Sequence, residues 1–141
     1  MSATALHAQP VVSANPRVPI SWGELIDKIT ILEIKAERLT SATALANVRR
    51  ELTEFAAAAG RVRSAGPELA ALKASLKGVN EALWEIEDRI RAEEVKGEFG
   101  ATFIALARAV YHKNDERGRI KRAINTLLHS DLVEEKQYHA Y

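Results

Sequence analysis

The 141-residue sequence contains no cysteine, which excludes a disulfide scaffold, a thiol nucleophile and any zinc site that depends on cysteine. Aromatic residues are only 6% of the chain, and no apolar run approaches the ~18 residues of a membrane span. The formal net charge is +1, so the overall charge favours neither nucleic acid nor an anionic membrane as a partner. The sequence also lacks a glycine-rich phosphate loop and the HExxH and GxSxG motifs of hydrolases.

Proline is scarce and unevenly distributed. Three of the four prolines lie within residues 1–19, where Arg17 is the single charged residue. That segment has neither the basic start nor the continuous apolar stretch of a secretory signal, so we predict a flexible tail and a cytoplasmic protein. We divide the rest into a helical domain at 20–130 and a C-terminal tail at 131–141.

The remainder of the sequence predicts four helices. Ser21 and Glu24 form a capping box at the start of the first helix, and the second helix is predicted at about 42–59. Pro67 is suited to the first turn of a third helix of roughly 28 residues. A fourth helix is predicted at about 101–128, after the turn K-G-E-F-G. The fold class is therefore all-α, an antiparallel four-helix bundle-like domain built on a long hairpin of helices 3 and 4. The seam of helix 3 repeats at coiled-coil spacing over three heptads: Leu69, Leu72, Leu76, Val79, Leu83, Ile86 and Ile90.

The first helix has apolar residues on two faces. Ile31 and Ile34 fall outside its main stripe, among charged residues that include Asp27 and Arg38. Such a helix is either central in a bundle or in contact with a second chain. We therefore take Asp27, Ile31, Ile34 and Arg38 as a candidate interface. The hairpin seam is a second candidate, because a protruding hairpin with an apolar seam would dimerise. The expected partner is a protein or a second copy of the chain.

The seam of helix 4 becomes polar in its middle, where Asn114 and Arg117 take positions that would face the core. Polar groups in such positions are costly unless they are paired. The favoured interpretation is a structural polar layer that fixes helix register, and the alternative is a pocket for an anionic or sugar-like ligand. If the hairpin is aligned about its turn, six residues are expected to converge: Asn80, Trp84, Glu87, Tyr111, Asn114 and Arg117.

One arrangement of carboxylates is typical of an enzyme. Glu51 with Glu54, and Glu85 with Asp88, form i,i+3 pairs on different helices, a layout that holds Mg²⁺ when the pairs face each other. It resembles the ExxE…ExxD pattern of all-α nucleoside triphosphate pyrophosphohydrolases. The doubled acid of that family is missing, because Arg50 precedes Glu51. We keep Mg²⁺ as the weaker alternative to a chain without a cofactor.

Three segments resemble a family of small, helical bacterial proteins of unassigned function. They are S-W-G-E-L-I-D-K-I-T-I-L-E-I-K (21–35), V-N-E-A-L-W-E-I-E-D-R-I-R (79–91) and N-D-E-R…S-D-L-V-E-E-K-Q-Y (114–138), and the resemblance covers about residues 20–138. It supplies no catalytic residues, and it implies a link to surface-polysaccharide metabolism. We expect a non-catalytic binding or accessory protein. The alternative is a protein that binds nucleotides, nucleotide sugars or other small molecules, or processes nucleotides with Mg²⁺, at a polar interhelical site.

Overall fold

A computed structural model describes residues 15–62 and 64–141. It confirms the all-α fold, and no β-strand occurs in these ranges. The predicted tail at 1–19 lies mostly outside the described residues, and none of the described helices is long and apolar enough to cross a membrane. The helices are α1 (Trp22–Arg38), α2 (Ala42–Ala58), α3 (Pro67–Lys96) and α4 (Ala101–Leu127), with a 3₁₀ turn at Ala59–Val62.

Local sequence signals explain three of the helix ends. The hydroxyl of Ser21 accepts the backbone N–H of Glu24 at 3.1 Å, as the capping box predicts. The carboxylate of Glu24, however, pairs with Lys121 of α4. Pro67 is the first residue of α3, and Gly97 ends that helix in the left-handed conformation with φ of 68°. The hairpin turn therefore lies where the sequence indicates it.

The core lies at one end of the hairpin. Helix α3 packs most extensively against α4, and α1 contacts α2, α3 and α4. The start of α3 and the end of α4 thus meet α1, in a region that we call the base. The buried apolar cluster of the base consists of Leu25, Ile26, Ile29, Leu69, Leu76 and Ile124.

The other end of the hairpin projects beyond α1 and α2. At 1.5 Å per residue, α3 and α4 are about 45 and 40 Å long, whereas α1 and α2 are each about 25 Å. The ion pairs of α1 reach along α3 as far as Glu85. We call residues 86–111 the tip. Here Leu106 is buried, the seam residues Ile86 and Ile90 are half-buried, and Val95 is 89% exposed.

Candidate functional site

A buried carboxylate organises the polar residues between α1, α3 and α4. Asp27 of α1 is fully buried. Arg117 of α4 donates from Nε to Asp27 Oδ1 at 2.9 Å and from its terminal nitrogen to Oδ2, so the pair is bidentate. Asn80 of α3 donates from Nδ2 to Asp27 Oδ1 at 2.9 Å. Three helices thus supply one hydrogen-bonded cluster around a single carboxylate.

Two further side chains complete this cluster, which we call the Asp27 network. Thr30 accepts a hydrogen bond from Asn80 at 2.9 Å, and its hydroxyl donates to the backbone carbonyl of Asp27 at 2.8 Å. Asn114 accepts from Arg117 at 3.5 Å. The hydrogen bond to Asp27 raises the pKa of Arg117, so the guanidinium remains charged. Both oxygens of Asp27 are occupied by protein donors, which is the pattern of a structural polar layer rather than an open binding site.

Lys121, one turn further along α4, is almost as buried as Asp27, at 5% exposed. Its ammonium lies 2.7 Å from Glu24 of α1 and 2.6 Å from Glu134, which follows α4 in the chain. Burial alone would lower the pKa of Lys121, but hydrogen bonds to these two carboxylates raise it. The same contact lowers the pKa of Glu134. This ion triad joins α1, α4 and the part of the chain that follows α4.

Helix α1 approaches α4 closely at Gly23. A Cβ on Gly23 would lie 2.4 Å from the carbonyl oxygen of Lys121, so a side chain there would push the helices apart. The backbone N–H of Gly23, unpaired within the first turn of α1, donates to Asn125 Oδ1 at 2.7 Å. The next N–H back, that of Trp22, donates to the hydroxyl of Ser130 at 3.3 Å. The end of α4 therefore satisfies donors at the start of α1.

Residues 130–141, which we call the C-terminal segment, turn back along α4. Arg122 donates to Glu135 Oε2 at 3.0 Å and to the backbone carbonyl of Glu134 at 3.4 Å. Further on, the Tyr141 hydroxyl donates to Asp115, a contact that raises the pKa of the phenol. The contacts thus run antiparallel to α4 and are mainly polar.

Half of the predicted polar layer converges. Asn80, Asn114 and Arg117 all belong to the Asp27 network. Trp84, Glu87 and Tyr111 lie outside this network. Trp84 lies under the guanidinium of Arg38 (5.9 Å from the ring centroid), Glu87 pairs with Arg91 at 3.4 Å on the exposed side of α3, and Tyr111 packs against His112 and Tyr141.

The candidate interface on α1 needs correction at two positions. Asp27 is fully buried and Ile34 is 1% exposed, so neither is accessible to a second chain. The cause is the central position of α1, which contacts each of the other three helices. Ile31 is half-buried, and Arg38 pairs with Glu85 at 3.5 Å. On the second apolar face of α1, Ile34 therefore belongs to the protein interior.

The carboxylates predicted for Mg²⁺ do not come together. Within the described ranges no group of three or more His, Asp or Glu side chains is arranged to hold a metal ion. Glu51 and Glu54 are exposed on α2, while Glu85 pairs with Arg38 and Asp88 is exposed on α3. The i,i+3 pairs therefore do not face each other as the pyrophosphohydrolase pattern requires.

Sequence reasoning missed the roles of Asp27, Thr30 and Lys121. One signal was available for Lys121: it continues the stripe of α4 from Asn114 through Arg117 to Ile124, and this spacing indicates a position that faces the interior. No comparable signal pairs Asp27 with Arg117, which is 90 residues away in the chain.

The fold and this polar interior define an all-α protein whose central α1 is held against a helical hairpin by an apolar cluster and by buried ionic groups. The chain belongs to a family of unknown function (DUF6165), whose sequence profile matches residues 16–141. No curated protein and no solved structure shows a significant match to it.

Proposed function

We propose that the protein is a non-catalytic binding protein that self-associates through the tip of its hairpin. One observation carries the proposal. Among the described residues of the helices and of the α3–α4 turn, every large apolar side chain that is exposed belongs to the outer part of the hairpin. They are Val95, Phe99, Ile104 and Tyr111, which are between 43% and 89% exposed.

The seam of the tip supports an apolar partner surface. Two helices bury only the sides that face each other, so Ile86, Ile90 and Phe103 remain half-buried. The aromatic pair at the end of the tip, Phe99 and Phe103, is packed edge to face with ring centroids 5.2 Å apart. Exposed apolar side chains concentrated in one region mark interaction sites in soluble proteins. A second hairpin would supply the missing layer and make a four-helix bundle.

The charges of the tip favour a second copy of the chain as the occupant. Within the tip, α3 carries four acids against three basic residues, whereas α4 carries Arg108 and no acid. In a two-fold arrangement that sets α3 of one copy against α4 of the other, opposite charges meet twice. Pairing α3 with α3 would bring acids together and is disfavoured.

The alternative of an enzyme or a ligand site at the polar layer has less support. Both oxygens of Asp27 are bound by Arg117 and Asn80, and the four carboxylates considered for Mg²⁺ are dispersed. Self-association through the tip requires neither Asp27 nor these four carboxylates to be available to a ligand or a metal ion.

The experiment is a measurement of molecular mass in solution by light scattering or sedimentation over a range of concentrations. We expect a dimer for the wild-type chain and a monomer for Ile104→Glu, which places a charge on the exposed side of α4. The matched control is Val18→Glu, an equally drastic change at an exposed apolar residue (74%) that precedes α1. Circular dichroism verifies that both variants keep their helices.

Salt dependence tests the arrangement of charges. If acidic and basic faces meet, higher ionic strength weakens the dimer, since exposed charges are screened over about 10 Å at 0.1 M salt. Arg108→Glu is expected to weaken it further. A wild-type chain that stays monomeric at every concentration, or a dimer that Ile104→Glu leaves intact, refutes the proposal.

A further inference from the structure

The C-terminal segment arches over α4. Glu134 is held at Lys121, and Tyr141 is held at Asp115. Glu134 and Tyr141 are seven residue steps apart, and seven steps of extended chain span up to about 23 Å. Their partners on α4 are six residues apart, which is about 9 Å along the helix. The excess chain is expected to bow away from α4, and a cavity of about 530 Å³ lies between the two.

The floor of this cavity includes a glycine in mid-helix. Gly118 lies within α4, where glycine costs roughly 0.5–1 kcal/mol relative to alanine. A Cβ there would lie 3.6 Å from the ammonium of Lys136, which crosses above it. Because Gly118 has no side chain, space remains between α4 and the C-terminal segment. Lys136 lines that space.

The lining of the cavity carries more positive than negative charge. Four Lys or Arg side chains line it against two Asp or Glu side chains. Lys121 and Arg122 are engaged with Glu134 and Glu135. Arg119 forms no ion pair with any residue in the described ranges, and Lys136 is 3.9 Å from Glu134. Two cations thus face the cavity with little compensation.

Tyrosines provide the second kind of contact. Tyr138 and Tyr141 line the cavity and are 78% and 75% exposed. Both also line an adjoining hollow of about 670 Å³ on the side of Tyr111, so the two rings stand between the two spaces. Exposed tyrosines offer a flat apolar face and a hydroxyl, and they are common where proteins hold ring-containing ligands.

We infer that the groove between α4 and the C-terminal segment binds a small organic phosphate that carries a ring, of the class of a nucleoside monophosphate. Arg119 and Lys136 bind the phosphate, because guanidinium and ammonium groups are the usual protein donors to it. Tyr138 and Tyr141 contact the ring. The volume of about 530 Å³ lies within the range of small-molecule sites.

The test is a calorimetric titration of the full chain with AMP and UMP, with adenosine and inorganic phosphate as the two partial ligands. We expect a nucleotide to bind and each partial ligand to bind more weakly. Arg119→Gln and Lys136→Gln should each weaken nucleotide binding about tenfold, since each removes a charge-assisted hydrogen bond. Tyr138→Leu should weaken the nucleotide but not inorganic phosphate.

The matched control is Arg50→Gln, which removes one exposed positive charge from α2, outside both the groove and the tip. It should bind the nucleotide as the wild type does. Amide chemical shifts should change at residues 115–122 and 134–141. The inference is refuted if neither nucleotide binds, if Arg50→Gln weakens binding as much as the groove variants, or if inorganic phosphate binds as tightly as AMP.

Discussion

The base and the tip of the hairpin share one heptad pattern, but their apolar side chains are buried to different extents. In the base, where α1 covers the seam, Leu76 and Ile124 are completely buried. In the tip, α3 and α4 have only each other, and Ile90 stays half-buried while Phe99 is 54% exposed. The comparison shows that an apolar seam specifies a helix and its packing face, but a third element decides whether that face becomes a core.

The largest expected difference between the two regions is in the cost of removing an apolar side chain. Leu76→Ala in the base should lower the free energy of unfolding by about 2–5 kcal/mol, since it leaves a cavity among well-packed neighbours. Ile104→Ala in the tip should change it by less than about 0.5 kcal/mol, because Ile104 is 55% exposed. Urea denaturation at a protein concentration at which the chain is monomeric measures both changes in the free energy of unfolding. Equal losses would contradict the distinction between base and tip.

The second prediction concerns the polar layer of the base. Arg117→Met leaves the fully buried Asp27 without its counterion and should cost about 3 kcal/mol or more of stability. The matched change is Arg119→Met two residues away, an exposed arginine without an ion pair in the described ranges, which should be nearly neutral. The double variant Asp27→Leu with Arg117→Met should recover most of the loss, since it removes both charges. If Arg117→Met is as stable as the wild type, the network is not structural.

A third, smaller effect is expected where α1 meets α4. Gly23→Ala inserts a methyl group 2.4 Å from the carbonyl oxygen of Lys121, so the helices must separate, at a cost of about 1–3 kcal/mol. Gly78→Ala, within α3, meets no atom within 4 Å and should instead stabilise the chain by up to about 1 kcal/mol. Thermal unfolding of the two variants compares them directly. If Gly23→Ala instead stabilises the chain, the contact between Gly23 and the backbone of Lys121 is not tight.

The smallest effect is a pH-dependent release of the C-terminal segment. Lys121 lowers the pKa of Glu134 below its ordinary value of 4.5. The stabilisation from Glu134 is therefore present above pH 4.5 and is lost as the pH falls through the lowered pKa of the folded state. Backbone ¹⁵N relaxation at residues 134–141, followed as the pH is lowered stepwise below 4.5, should report increased motion relative to neutral pH, while the helices persist.

Glu134→Gln is the control for this release, because its amide does not titrate. In that variant the segment should already be mobile at neutral pH and should change less on acidification. Unchanged relaxation in the wild type across this range would mean that the segment is held by contacts other than the ion pair with Lys121.

Part of the candidate site was predicted from the sequence. Asn114 and Arg117 were recognised because polar residues interrupt an apolar stripe, and Asn80 because the hairpin turn fixes which residues of α3 and α4 are opposite. The same alignment wrongly included Trp84 and Tyr111, since it fixes height along the hairpin but not direction around each helix. Their real neighbours, Arg38 and Tyr141, come from other elements.

The sequence by itself determined the helices, the cap at Ser21, the turn at Gly97 and the face of α3 that packs. These features depend on residues three or four positions apart, so local spacing carries the information. Only the tertiary structure decided that Asp27 is the counterion of Arg117 and that Ile34 is interior. Both depend on how α1 lies against α3 and α4, and the packing of distant helices, rather than any spacing along one helix, sets that arrangement.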